Sequence, residues 1–133
     1  MPVLIVVAGP IGAGKSTVAN LLCQRLAKRR LATAAVDLDD VAFMQRAVVD
    51  DSHEFWRRAA VATAALVRAW FDVGTDVVVA HGPFFESCGY DSLLNVQSDE
   101  VVVRHVLLRV SVEVALERGR DDPSVGCRET PSS

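Results

Sequence analysis

Apolar and polar positions alternate between two kinds of pattern along this chain. Val3 to Ala8 is an unbroken apolar, largely β-branched run closed by Gly9, the signature of a strand buried on both faces of a parallel sheet. From Lys15 to about Arg30 the period changes: Val18, Leu21, Leu22 and Leu26 recur at helical spacing, and Gln24, Arg25, Lys28 and Arg29 fill other positions. Thr33 to Val36 predicts a short second strand running into Asp37-Leu38-Asp39-Asp40, taken as a loop unless Asp39 or Asp40 caps a helix. Asp51 to Val73 is the longest helical pattern, with Phe55, Ala59, Ala62, Leu66, Trp70 and Val73 expected on one stripe. Asp51 and Glu54 resemble a capping box at its start, and Gly74 supplies its stop. Val77 to Ala80 predicts a third strand leading into His81-Gly82-Pro83, and Val101 to Val110 a fourth. Between them, Glu86 to Asn95 is ambiguous, with Gly89 interrupting a weak helical pattern. Ser111 reads as the N-cap of a helix over Val112 to Arg118, and Arg120 to Ser133 as a polar loop or tail. Strands alternating with helices define an α/β class with a parallel sheet of about four strands, in one domain over 1–120 followed by a remnant over 121–133.

The segment between the first strand and the first helix carries the most specific chemistry. Gly9-Pro10-Ile11-Gly12-Ala13-Gly14-Lys15-Ser16 satisfies G-x-x-x-x-G-K-[ST] at every fixed position, in the strand, loop, helix setting that motif requires. Glycines allow the backbone to close around phosphates so that its N–H groups and the helix N-terminus, with Thr17 next in line, face the anion. Lys15 is placed to reach β- and γ-phosphates, and Ser16 to put its hydroxyl on Mg²⁺. The chain holds only two lysines, Lys15 and Lys28, so the lysine at the required position carries weight against an accidental turn.

Three carboxylates at the end of the second strand are costly to bury without a cation and are expected to face a cleft. In parallel α/β sheets that cleft lies beyond the carboxyl ends of the strands, where the phosphate loop also lies. The formal charge of −3 and the absence of any basic tract longer than Lys28-Arg29-Arg30 argue against nucleic acid as a partner. Cys23, Cys88 and Cys127 fit neither a disulfide framework nor a zinc pattern, and Cys23 reads as a core or helix-face residue rather than a nucleophile. The amino end has no basic region and too short an apolar run for a signal or membrane span, so a cytoplasmic protein with no membrane partner is expected. His53 and His105 read as a surface and a structural histidine, and Phe55 to Arg58 as core and solvated face rather than acceptor contacts.

Taken together, these residues make the chain resemble the small P-loop kinases: shikimate, gluconate and nucleoside monophosphate kinases and chloramphenicol phosphotransferase. The resemblance runs over roughly Val3 to Arg120. It implies ATP and Mg²⁺ as cofactors, a small hydroxyl-bearing acceptor, and Asp37 and Asp39 in the places of the Asp-x-Asp that follows the second strand. Asp37 would then hold the Mg²⁺ shell through water, and Asp39 would bind or deprotonate the acceptor hydroxyl. Arg118 matches the arginine that ends the helix after the fourth strand and lies near adenine, and Arg120 and Arg128 are lid candidates able to neutralise transferring phosphate. The alternative is a P-loop nucleotide-binding module without catalysis, and a nucleoside monophosphate kinase is a third reading.

Two departures stand out. Monophosphate kinases carry an aspartate before the glycine after the third strand, whereas here His81 precedes Gly82, which leaves the metal to Ser16 and Asp37. The family pattern also continues past the lid into another helix, a fifth strand and a last helix, which this sequence does not contain. An apolar fourth strand left at an edge is expected to promote self-association as a homo-oligomer.

Overall fold

The structure, a computed structural model, describes residues 1–9, 13–46, 52–83, 87–95 and 97–109. Its elements are β1 (Val3–Ala8), α1 (Lys15–Lys28), β2 (Thr33–Asp37), α2 (Leu38–Ala42), α3 (Ser52–Asp72), β3 (Val77–His81), α4 (Ser87–Asn95) and β4 (Val102–Leu107). The four strands form one parallel sheet in the order β2-β3-β1-β4. The expected α/β class, strand count and parallel pairing all hold. The expected helix over Val112 to Arg118, its Ser111 cap, the remnant over 121–133, and Asp51 of the capping box lie outside the described residues.

Side chains along a strand point alternately to its two faces, and that alternation builds two cores. Val3, Ile5, Val7, Val77 and Val79 face α1, where Ala19, Val18, Leu22, Cys23 and Leu26 meet them. Leu4, Val6, Val36, Val78 and Ala80 face the other way, onto Leu38, Val41, Ala59, Ala64, Val67 and Leu93. β3 is buried at all five positions, as a central strand covered on both faces must be. Leu4, fully buried, packs in the second core. Leu4→Ala should cost about 2–5 kcal/mol by urea denaturation, and a loss below about 1 kcal/mol would contradict this packing.

Two helices sit differently from their sequence patterns. On α1, Leu21 is exposed and Cys23 takes its place against the sheet. On α3 the buried stripe is Ala59, Ala60, Thr63, Ala64 and Val67, and the expected members Ala62, Leu66, Trp70 and Val73 are exposed. Small side chains let the helix backbone lie close to its neighbours. Gln97 Nε2 reinforces that approach by donating to the carbonyls of Leu93 (3.0 Å) and Ala64 (3.2 Å), tying the end of α4 to α3. The ambiguous segment resolves into α4, which includes Gly89.

The amino ends of the strands are clamped through Asp76. Its carboxylate accepts from Ala32 N at 2.8 Å, its N–H donates to Ala32 O at 2.9 Å, and its carbonyl accepts from Val3 N at 2.9 Å. Among the described residues β4 pairs only with β1, as expected of an edge, but it is shorter than its apolar run, ending at Leu107. Arg104 and His105 are exposed on it. No described helix is long and apolar enough to cross a membrane.

Candidate active site

The carboxyl ends of β1, β3 and β2 converge, and each delivers a different chemistry. Beyond β1, Gly14 adopts φ 85° and ψ 31°, a left-handed conformation open to glycine at little cost, and so turns the chain directly into α1. The first bond of that helix is Val18 N to Gly14 O at 3.1 Å, so the N–H groups of residues 15–17 stand ahead of its ladder. No side chain caps this end and no acidic residue occupies its first turn, which leaves the positive end of the helix dipole suited to an anion. Lys15 is only 6% exposed, and its Nζ donates to Gly9 O at 3.0 Å, folding the ammonium back over the start of the loop. Ser16 and Thr17 are exposed beside it. Pro10, Ile11 and Gly12 lie outside the described residues.

Beyond β2, the acidic run is helical rather than a loop. Asp37 ends the strand and caps α2, its Oδ1 accepting from Asp39 N at 2.9 Å, so that Asp39 and Asp40 occupy the first turn. The alternative of a cap at Asp39 or Asp40 gives way to a cap at Asp37. The cause is local: an aspartate at the cap position can accept from the N–H two residues on, and carboxylates in a first turn suit the dipole. Phe43, Phe55 and Trp56 close the far end of α2 with tilted and edge-to-face rings, centroids 5.3–6.2 Å apart. Gln45 Nε2 joins Ala42 O (3.2 Å) to Phe55 O (3.1 Å) and holds α2 against α3. Arg57 pairs with Glu54 at 2.6 and 2.7 Å, and His53 is exposed, in keeping with a solvated face.

β3 lies between these two halves, and its last residue, His81, is in register with Val7 of β1 and Asp37 of β2. Burial is the main force lowering the imidazole below its ordinary value of 6.5, with Lys15 acting in the same sense and the charges of Asp37 and Asp40 opposing both. The next residue, Gly82, has φ 136°, and a Cβ built there would stand 2.8 Å from Leu38 Cβ. The exit of β3 thus rests directly on the first residue of α2. In the sequence, His81 continues the alternation of Val77 and Val79, which puts it on the α1 face.

The residues present fit a nucleoside triphosphate and its divalent cation. A helix N-terminus free of acidic residues, a buried lysine at its start, and a carboxylate at the end of β2, one strand removed from β1, supply the donors and the negative charge that such a ligand and its cation need. Among the described residues no group of three or more His, Cys, Asp or Glu gathers around a potential cation site, so a cation would draw most of its ligands from phosphate and water. Arg118, Arg120 and Arg128 lie outside the described residues.

A parallel sheet with a phosphate loop after its first strand defines a P-loop NTPase-type α/β protein. A family model described as an AAA domain matches residues 5–126, and the chain belongs to that family. The fold is shared with an APS kinase of Mycobacterium tuberculosis solved with AMPPNP and APS, at a TM-score of 0.72 and 16% identity over 94% of this chain and 71% of that one. A shikimate kinase of Acinetobacter baumannii solved with shikimate aligns at a TM-score of 0.60 and 21% identity, over 98% of this chain and 67% of its own. A chain of the Pnkp1/Rnl/Hen1 RNA repair complex aligns over 97% of this chain at 0.63 and 19% identity, and this chain spans only 39% of it. Comparison with curated proteins yields no match. At these identities the neighbours establish the fold, and small P-loop kinases are prominent among them.

Proposed function

We propose that this chain is an ATP-dependent phosphotransferase that moves the γ-phosphoryl group to a hydroxyl of a small molecule. The observation that carries this reading is the delivery of Lys15 at the head of α1 and of Asp37 and Asp39 at the head of α2 to the same end of the sheet. Bound ATP with Mg²⁺ supplies the activated phosphoryl group. Gly9, the loop through Gly14 and the amides of residues 15–17 would bind the phosphates, and Lys15 would neutralise their charge. Ser16 would hold the cation, and Asp37 would hold its shell through water. Asp39 accepts the proton of the acceptor hydroxyl, and Arg118 or Arg120 offsets charge on the group in transfer.

Calorimetry with Mg·ATP is the direct test. Lys15→Ala should weaken binding by about 100-fold, since a charge-assisted contact in a buried setting contributes about 1.5–3 kcal/mol. An affinity within about threefold of the parent would remove Lys15 from the site, and failure of the parent chain itself to bind would remove the assignment. A coupled assay of ATP consumption against sugars, shikimate-like acids, nucleosides and antibiotic alcohols then identifies the acceptor.

A further inference from the structure

We propose that His81 is a further catalytic residue, its imidazole donating a hydrogen bond to an oxygen of the phosphoryl group as that group passes from the Lys15 loop toward Asp39. The inference rests on the phosphotransferase reading and deepens it. Three observations carry it. The first is position: in the order β2-β3-β1, the strand of His81 lies between the one that feeds the phosphate loop and the one that ends in the acids, in register with both at Val7 and Asp37. A group crossing from Lys15 to Asp39 has to pass the end of β3.

The second is direction. Val7, Val77 and Val79 face α1, and strand alternation puts His81 on that same face. Thr33 makes a hydrogen bond with Cys23 of α1, so alternation along β2 puts Asp37 there too. Lys15 begins α1, so the imidazole, the carboxylate and the ammonium share one side of the sheet, in agreement with the electrostatic influence of Asp37, Asp40 and Lys15 on His81.

The third is its unused hydrogen-bonding capacity. His81 is 6% exposed; its backbone pairs within the sheet, and its imidazole makes no hydrogen bond to another described residue. A ring donor held in so enclosed a place is available to a ligand oxygen that meets it. A neutral imidazole carries one N–H donor and one acceptor. The donor suits a phosphoryl oxygen, and an aspartate at the same position would repel it.

The experiment separates the transferring phosphoryl group from the rest of the nucleotide. Calorimetry in Mg²⁺ with ADP, with the β,γ-imido analogue of ATP, and with ADP plus aluminium fluoride is run on the parent, His81→Leu and His81→Asn, each checked for folding by circular dichroism. In His81→Leu, ADP should bind within about twofold of the parent, the imido analogue about tenfold more weakly, and the aluminium fluoride complex more weakly still. His81→Asn, which keeps a donor, should recover to within about threefold. Equal losses for ADP and the imido analogue, or no loss for either, would overturn the proposal and leave the phosphotransferase reading standing. Absence of triphosphate binding by the parent would instead overturn that reading and the proposal with it. If the leucine variant does not fold, ¹⁵N resonances of the parent's His81 ring decide: a shift with the imido analogue and none with ADP supports the contact, and no difference between them refutes it.

Discussion

Asp39→Asn should abolish acceptor-dependent ATP consumption, lowering turnover by about 10²–10⁴-fold, while the affinity for Mg·ATP changes by less than about threefold. Asp39 lies in the first turn of α2, two residues beyond the strand end that faces the phosphate loop, and its N–H rather than its carboxylate is what Asp37 holds. Asparagine keeps that N–H, the side-chain volume and the cap, so α2 should start where it does now. What it loses is the ability to take a proton. Proton transfer from the attacking hydroxyl therefore fails, and the phosphate cradle at the head of α1 is untouched. Steady-state kinetics and calorimetry on one preparation make the comparison. Unchanged turnover would remove Asp39 from the chemistry, and a parallel loss of nucleotide affinity would move it to the metal site.

Gly82→Ala should destabilise the fold by about 2–4 kcal/mol and reduce turnover more than nucleotide affinity. Two costs act together. The backbone at φ 136° is a conformation that side-chain-bearing residues rarely adopt, and the added methyl would lie 2.8 Å from Leu38 Cβ and 3.2 Å from Leu38 N. Leu38 is buried at the start of α2 and packs in the core with Val36 and Val41. Relief comes by pushing α2 outward, which carries Asp37 and Asp39 away from the loop. Urea denaturation measures the first effect, and the ratio of kcat loss to change in nucleotide Kd the second. A loss of under about 0.5 kcal/mol would mean that the exit of β3 can shift without disturbing α2.

The strands were legible because buried parallel strands appear as apolar runs, and Val3 to Ala8 and Val77 to Ala80 have few other interpretations. The phosphate loop was legible because its chemistry requires particular residues at fixed spacing. The face of α3 was not. Its apolar content surrounds much of the helix, and the sequence reading followed the large residues Leu66, Trp70 and Val73, whereas packing favoured the small ones. The helical start at Leu38 was hidden because three aspartates in four residues resemble a solvated loop until the Asp37 to Asp39 N–H bond is seen. The position of His81 depends on which strands become neighbours, and β3 enters between β1 and β2 through a pairing across distant parts of the chain. Local pattern carries no record of that order.

That strand order divides the cleft unequally. The phosphate loop grows from β1, which has partners on both sides, while the acids grow from β2, which among the described residues has β3 alone. On the proposed phosphotransferase reading, changes that reshape the marginal strand and its short helix would vary the acceptor while the interior strand keeps the loop after β1 in place. The margin of the sheet would then diversify without disturbing its centre.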